Sequence, residues 1–93
     1  MTNKYEVALV LSVANGDEAV NALKEKFNDL ISKNGTVENV DEWGKRRLAY
    51  PINDETEGYY IFTTMTSEPS LPAELERIAG ITEGVLRIMV IRK

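Results

Sequence analysis

A chain of 93 residues with a hydrophobic share of 43% and a charged share of 28% makes one small globular domain, residues 1–93, with little stability to spare. Its formal net charge of -4 is the wrong sign for a nucleic-acid binder acting alone. Cysteine and histidine are both absent, which removes disulfides, thiolate nucleophiles and the usual zinc ligands, so no cofactor is expected; carboxylates remain as ligands for a hard cation.

The opening Met1-Thr2-Asn3-Lys4-Tyr5-Glu6 leads at once into an apolar run too short to cross a membrane. Glu6 and the lack of a small-residue cleavage pattern argue against a secretory leader, so the expectation is a soluble, cytoplasmic protein with no membrane partner. Residues 5–11 alternate as a strand, Tyr5, Val7, Leu9 and Leu11 facing the core and Glu6, Ala8 and Val10 the other side. Residues 14–18 break the strand, with Asn15 or Asp17 available to cap a helix. Val20, Leu23, Phe27, Leu30 and Ile31 then form a helical apolar stripe, and Asn34-Gly35 supplies residues tolerant of positive φ at its end.

A second strand begins at 36–40, with Val37 toward the core, and a bulge or bend is expected over Asp41-Glu42-Trp43-Gly44. Past it, Lys45, Arg47 and Ala49 alternate with Arg46, Leu48 and Tyr50, but a bulge shifts the register by one residue and leaves open which arginine faces which side. Pro51, which lacks an N–H, suits an edge strand or a strand end. Trp43 reads either as a binding platform or as an aromatic covering the rim of the core. An acidic loop at 53–58 joins a third strand at 59–66, with Tyr60, Phe62 and Thr64 on one side and Tyr59, Ile61, Thr63 and Met65 on the other. Asp54, Glu55 and Glu57 lack the spacing of a calcium loop and read as a solvated turn. Ser70 is placed to cap a second helix with Leu71, Leu75, Ile78 and Ala79 on its inner face and Gly80 at its end. In the last strand, 85–91, Leu86, Ile88 and Val90 oppose Val85, Arg87, Met89 and Ile91.

The order βαββαβ, in which strand–helix–strand occurs twice, predicts a two-layer α+β sandwich of the ferredoxin-like kind, with a four-stranded antiparallel sheet. Two helices cover one face of such a sheet. The other face carries Ala8, Val10, Tyr60, Phe62, Met89 and Ile91, too apolar for solvent alone, so either a partner covers it or it binds an extended ligand; the poor match to base stacking below favours a protein partner.

No catalytic constellation is present, so the chain is not expected to be an enzyme. An acylphosphate-type hydrolase on the same sandwich needs a phosphate loop after the first strand, and Ser12-Val13-Ala14-Asn15-Gly16 has no arginine for it. An RNA-recognition-motif sheet stacks bases on aromatics of both central strands, and here the first strand has none in its middle. What remains is Lys45-Arg46-Arg47, the densest basic cluster, which fits phosphate contact or a charge-protected sheet edge.

The sequence resembles the bacterial small-subunit ribosomal protein six family over essentially its whole length. The resemblance rests on Lys4-Tyr5-Glu6-Val7, on Gly44-Lys45-Arg46-Arg47-Leu48-Ala49-Tyr50-Pro51-Ile52 followed by Gly58-Tyr59-Tyr60, and on residues 85–93. It implies a structural component of the small ribosomal subunit that binds the central domain of small-subunit rRNA together with ribosomal protein eighteen. The RNA-contact residues it implies are Arg46, Arg47 and Tyr50 with Lys45 beside them, and further Lys4, Arg87, Arg92 and Lys93. The alternative is a protein–protein adaptor of the same fold that does not touch RNA.

Overall fold

A computed structural model describes residues 2–52 and 55–93. The elements are β1 (Asn3–Ser12), α1 (Asp17–Asn34), β2 (Gly35–Ile52), β3 (Glu55–Ser67), α2 (Ser70–Ile81) and β4 (Val85–Arg92). The strands form one antiparallel sheet in the order β2-β3-β1-β4. Each strand–helix–strand half therefore receives a strand of the other half between its own two, which is the physical content of the repeated pattern in the sequence.

The core lies between the helices and one face of the sheet. Tyr5, Val7, Leu9 and Leu11 of β1 meet Ile61 and Met65 of β3, Val20, Phe27 and Ile31 of α1, and Leu71, Leu75 and Ala79 of α2. Full burial of such side chains contributes about 1.5–3 kcal/mol each, so the two-residue period of β1 and the helical stripes decide which face of each element turns inward. No buried polar side-chain atom among the described residues is left without a hydrogen bond.

The helix ends differ from expectation. Neither Asn15 nor Asp17 caps α1: the residue before it is Gly16, at φ 88°, and no side chain caps the first turn. At the other end Gly35 is extended, at φ -169°, because the chain passes straight from α1 into β2. Ser70 is the first residue of α2 and not its cap, and Gly80 lies inside the helix. Thr82 ends α2 instead, its N–H donating to the Ala79 carbonyl and its hydroxyl to the Ile78 carbonyl at 2.5 Å.

β2 departs most from a plain strand. Its 18 residues would run about 59 Å if straight, yet the longest dimension of the whole domain is 40 Å, so the strand must bend. The pairing with β3 shifts at Val37/Asn39, at Glu42/Gly44 and at Arg47/Ile52. The expected bulge is therefore present, and Gly44 adopts φ 79°, a left-handed conformation that costs a residue with a Cβ roughly 1–2 kcal/mol. β3 starts at Glu55, so the acidic stretch is mostly strand; Asn53 and Asp54 lie outside the described residues. Ser12 donates a hydrogen bond to Glu55 at 2.5 Å. In β4 a register shift between Val10 and Leu11 pairs Val85 with Leu11. Val85 thereby packs against the core and does not share a face with Arg87, Met89 and Ile91 as the alternation had suggested.

Candidate nucleic-acid interface and open sheet face

Cross-strand neighbours share a face of the sheet, so the register assigns the face left bare by the helices. Ala8 lies between Phe62 and Met89, Val10 between Tyr60 and Arg87, and Glu6 between Thr64 and Ile91. The six residues assigned to the open face are thus brought together on it. Met89 and Ile91 are exposed at 40% and 48%, whereas Val10 is only 6% exposed. Leu48 covers it: a Cβ added to Gly58 would lie 2.6 Å from Val10 Cγ1 and 3.3 Å from Leu48 Cδ2, so both side chains fold over that glycine. The end of β2 curls onto this face, and Leu48, Ala49, Tyr50 and Ile52 form one wall of a groove whose other walls include Ala8, Phe62, Met89 and Ile91. Sequence reasoning had not placed Leu48, Ala49 or Ile52 there, because the shift after Arg47 breaks the alternation.

The bulge at Gly44 also settles the position of Trp43. Its ring packs on Phe62 with centroids 4.6 Å apart and planes tilted by 53°, and its Nε1–H donates to Asp41 Oδ2 at 2.9 Å. Phe62 neighbours Tyr60 at 6.4 Å. The Arg46 guanidinium lies 5.7 Å from the Trp43 ring centre. Trp43 is therefore neither a core-rim cover on the helix side nor isolated; it continues an aromatic strip from β3 onto the edge strand. In the strand register Lys45 stands opposite Tyr59 and Arg47 opposite Glu57, on the alternate positions from Arg46.

The eight basic and aromatic candidates fall into separate groups. Lys45, Arg46, Arg47 and Tyr50 occupy the far part of β2, where Tyr50 is 77% exposed. Arg87 lies in the same cross-sheet row as Val10, Tyr60 and Gly44, about 14 Å from Gly44 at three strand spacings, and lines the open-face groove together with Tyr50 from the curled end of β2. Lys4, Arg92 and Lys93 gather at the opposite end of the sheet. Gly58, opposite Arg46, and Thr66, opposite Lys4, are eight residues apart on β3, or about 26 Å.

The two ends also differ in pairing. Lys4 lies 3.4 Å from Glu38, Lys93 lies 3.2 Å from Glu6, and Arg92 donates to Asn3 Oδ1 at 3.2 Å. The hydroxyl of Thr66, and secondarily Lys4, hold the Glu38 carboxyl below the usual range. Among the described residues, no carboxylate pairs with Lys45, Arg46, Arg47 or Arg87. On the helix side, Lys24 lies 2.7 Å from Glu42 Oε1, and the Tyr59 hydroxyl donates to the same oxygen at 2.8 Å. The Lys24 and then the Tyr59 hydrogen bond lower the Glu42 pKa, while the bonds to Glu42 raise those of Lys24 and Tyr59. This network ties the edge strand to α1 just before the bulge. Among the described residues no group of carboxylates is placed to hold a metal ion, and no helix is long and apolar enough to cross a membrane.

The family described as Ribosomal protein S6 matches residues 4–92. The chain belongs to the ribosomal protein S6 family. The small ribosomal subunit protein bS6 of Clostridium novyi is 51% identical over 88 residues, covering 94% of this chain and 93% of that one. The corresponding protein of Clostridium perfringens is 48% identical over 91 residues, covering 97% and 96%. The crystal structure of 30S ribosomal protein S6 from Thermotoga maritima superposes with a TM-score of 0.92 over 100% of this chain and 89% of that one, and at 23% identity this is a likeness of fold. As a member of the S6 family the chain is a ribosomal protein and not an enzyme. Its scattered carboxylates and lack of histidine accord with that.

Proposed function

We propose that this chain is a structural component of the small ribosomal subunit that contacts the central domain of small-subunit rRNA while paired with ribosomal protein eighteen, within the cytoplasm. Lys45, Arg46 and Arg47 supply the phosphate contacts, with Tyr50 beside them, and the apolar open face around Ala8, Phe62, Met89 and Ile91 receives the protein. One observation carries this reading: the densest basic cluster forms no ion pair with a carboxylate among the described residues and adjoins the exposed apolar face. Lys4, Arg92 and Lys93 contribute less, because each already engages a polar group of its own chain and an RNA phosphate must compete with it. Pairing also answers the charge problem. A chain of net charge -4 repels a polyanion at long range, and a basic partner reverses that sign.

The test is salt-dependent binding of a central-domain rRNA fragment, with and without ribosomal protein eighteen. Binding is expected only with the partner, weakening as salt rises. Replacing Arg46 and Arg47 together by alanine should lower the slope of log K against log salt by about 1.4–1.8, from two lost phosphate contacts, while the protein pair still forms. An unchanged slope and affinity in that variant would return the cluster to the status of a charged edge and favour the adaptor function.

A further inference from the structure

We propose that Trp43 is the platform for one unpaired RNA base, with Arg46 and Arg47 taking the phosphates on either side of that nucleotide. The inference rests on the RNA-binding reading above and adds the class of ligand and the residue that holds it.

The aromatic ring is presented and fixed at once. Trp43 is 50% exposed on the edge strand, yet Phe62 supports one side of it and the hydrogen bond from Nε1 to Asp41 sets its rotation. A ring already held on two sides has little freedom left to lose when a ligand arrives. Arg46 also neighbours the ring, its guanidinium 5.7 Å from the ring centre. Such a contact at an exposed site is weak, so Arg46 can turn to a phosphate and leave the ring to a base. The ring also lines a surface hollow with Asp41, Glu42, Arg46, Arg47 and Tyr60. Within it Glu42 is matched by Lys24, leaving two guanidinium groups against the single carboxylate of Asp41. A positive surround with a flat aromatic floor suits a nucleotide in a single-stranded or bulged segment, whose base has an open π face. A base within a duplex has no free face to offer.

Trp43 is the sole tryptophan, so its fluorescence reports on the site directly. The experiment titrates the rRNA central-domain fragment into the complex of this chain with ribosomal protein eighteen. Addition of RNA to that complex should quench Trp43 emission and shield it from acrylamide beyond any change that the partner makes through the neighbouring Phe62. Trp43→Leu should weaken RNA binding by about 5- to 150-fold, the ~1–3 kcal/mol of one stacked base at 1.4 kcal/mol per decade. Trp43→Phe should recover most of that loss. Neither variant removes a charge, so the salt slope should stay as in the parent, unlike that of Arg46→Ala. Circular dichroism and pairing with the partner check that both variants fold. If Trp43→Leu binds as tightly as the parent and emission does not respond to RNA, stacking is overturned while the RNA-binding reading stands. Quenching and shielding by the partner alone, with no further change on adding RNA, would place Trp43 in the protein interface and overturn the proposal. Absence of any RNA-bound complex with the parent chain would overturn both readings.

Discussion

Gly58→Ala is expected to couple the stability of the domain to the way the end of β2 folds onto the open face. The new methyl carbon would sit 2.6 Å from Val10 Cγ1 and 3.3 Å from Leu48 Cδ2, with the Leu11 carbonyl oxygen at 3.5 Å. Ordinary carbon–carbon contact begins near 3.5 Å, so Val10 must give way by roughly 0.9 Å. It has little room to do so, since Val10 and Leu48 are 6% and 9% exposed and lie against one another's neighbours. Overpacking of this kind costs about 1–3 kcal/mol, or about 5–20 °C of melting temperature in a domain of this size. Urea unfolding measures it as a lowered midpoint at unchanged slope. The decisive variant is the double substitution Val10→Ala with Gly58→Ala, in which the nearest clashing carbon is gone. Its destabilisation should fall short of the sum of the single changes by at least ~1 kcal/mol, the scale of coupling between residues in contact. Strict additivity would refute the close packing of Leu48 and Val10 over Gly58, and with it the account of how β2 curls onto the open face.

Further expectations concern the edge network and the open face. Glu42 has a lowered folded-state pKa, first through Lys24 and then Tyr59. Its contribution is therefore present above its unfolded value of about 4.3 and is lost as pH falls through the folded value. Urea unfolding of Glu42→Gln against the parent should differ at pH 7 and converge in strong acid. The difference should be about 0.5 kcal/mol or less, because the pair is partly exposed and screened. A gap that widens in acid would reverse the assigned sign. Met89→Lys should leave urea stability within about 0.5 kcal/mol, as for an exposed position, yet weaken association with ribosomal protein eighteen by tenfold or more in titration calorimetry. Unchanged association would remove Met89 from the partner face.

Much of the fold was legible because burial depends on period. The alternation of Tyr5, Val7, Leu9 and Leu11 and the stripe of Val20, Phe27 and Ile31 pointed to the core that forms. Helix ends were less legible. Ser70 and Asp17 have the chemistry of caps, but each is the first residue of its helix, one position past the cap; Gly16 at φ 88° precedes α1 and Thr82 ends α2. Val85 was misassigned for a similar reason: one register shift in β4 inverts the side of every residue beyond it.

The candidate site was half legible. Its basic residues and the family resemblance stand in the sequence itself, since a run of Lys45-Arg46-Arg47 is a local fact. Where those residues point is not local. The bend in β2 depends on its pairing with β3, and the bulge at Gly44 decides that Trp43 joins Phe62 on the open face. The close approach at Gly58 likewise exists only once β1, β2 and β3 are side by side, and it is what hides Val10 and lays Leu48 across the sheet. Composition and period thus determined the elements, the layer order and the charge. Long-range strand register, to which neither is sensitive, decided which side chains share a surface and therefore what that surface can bind.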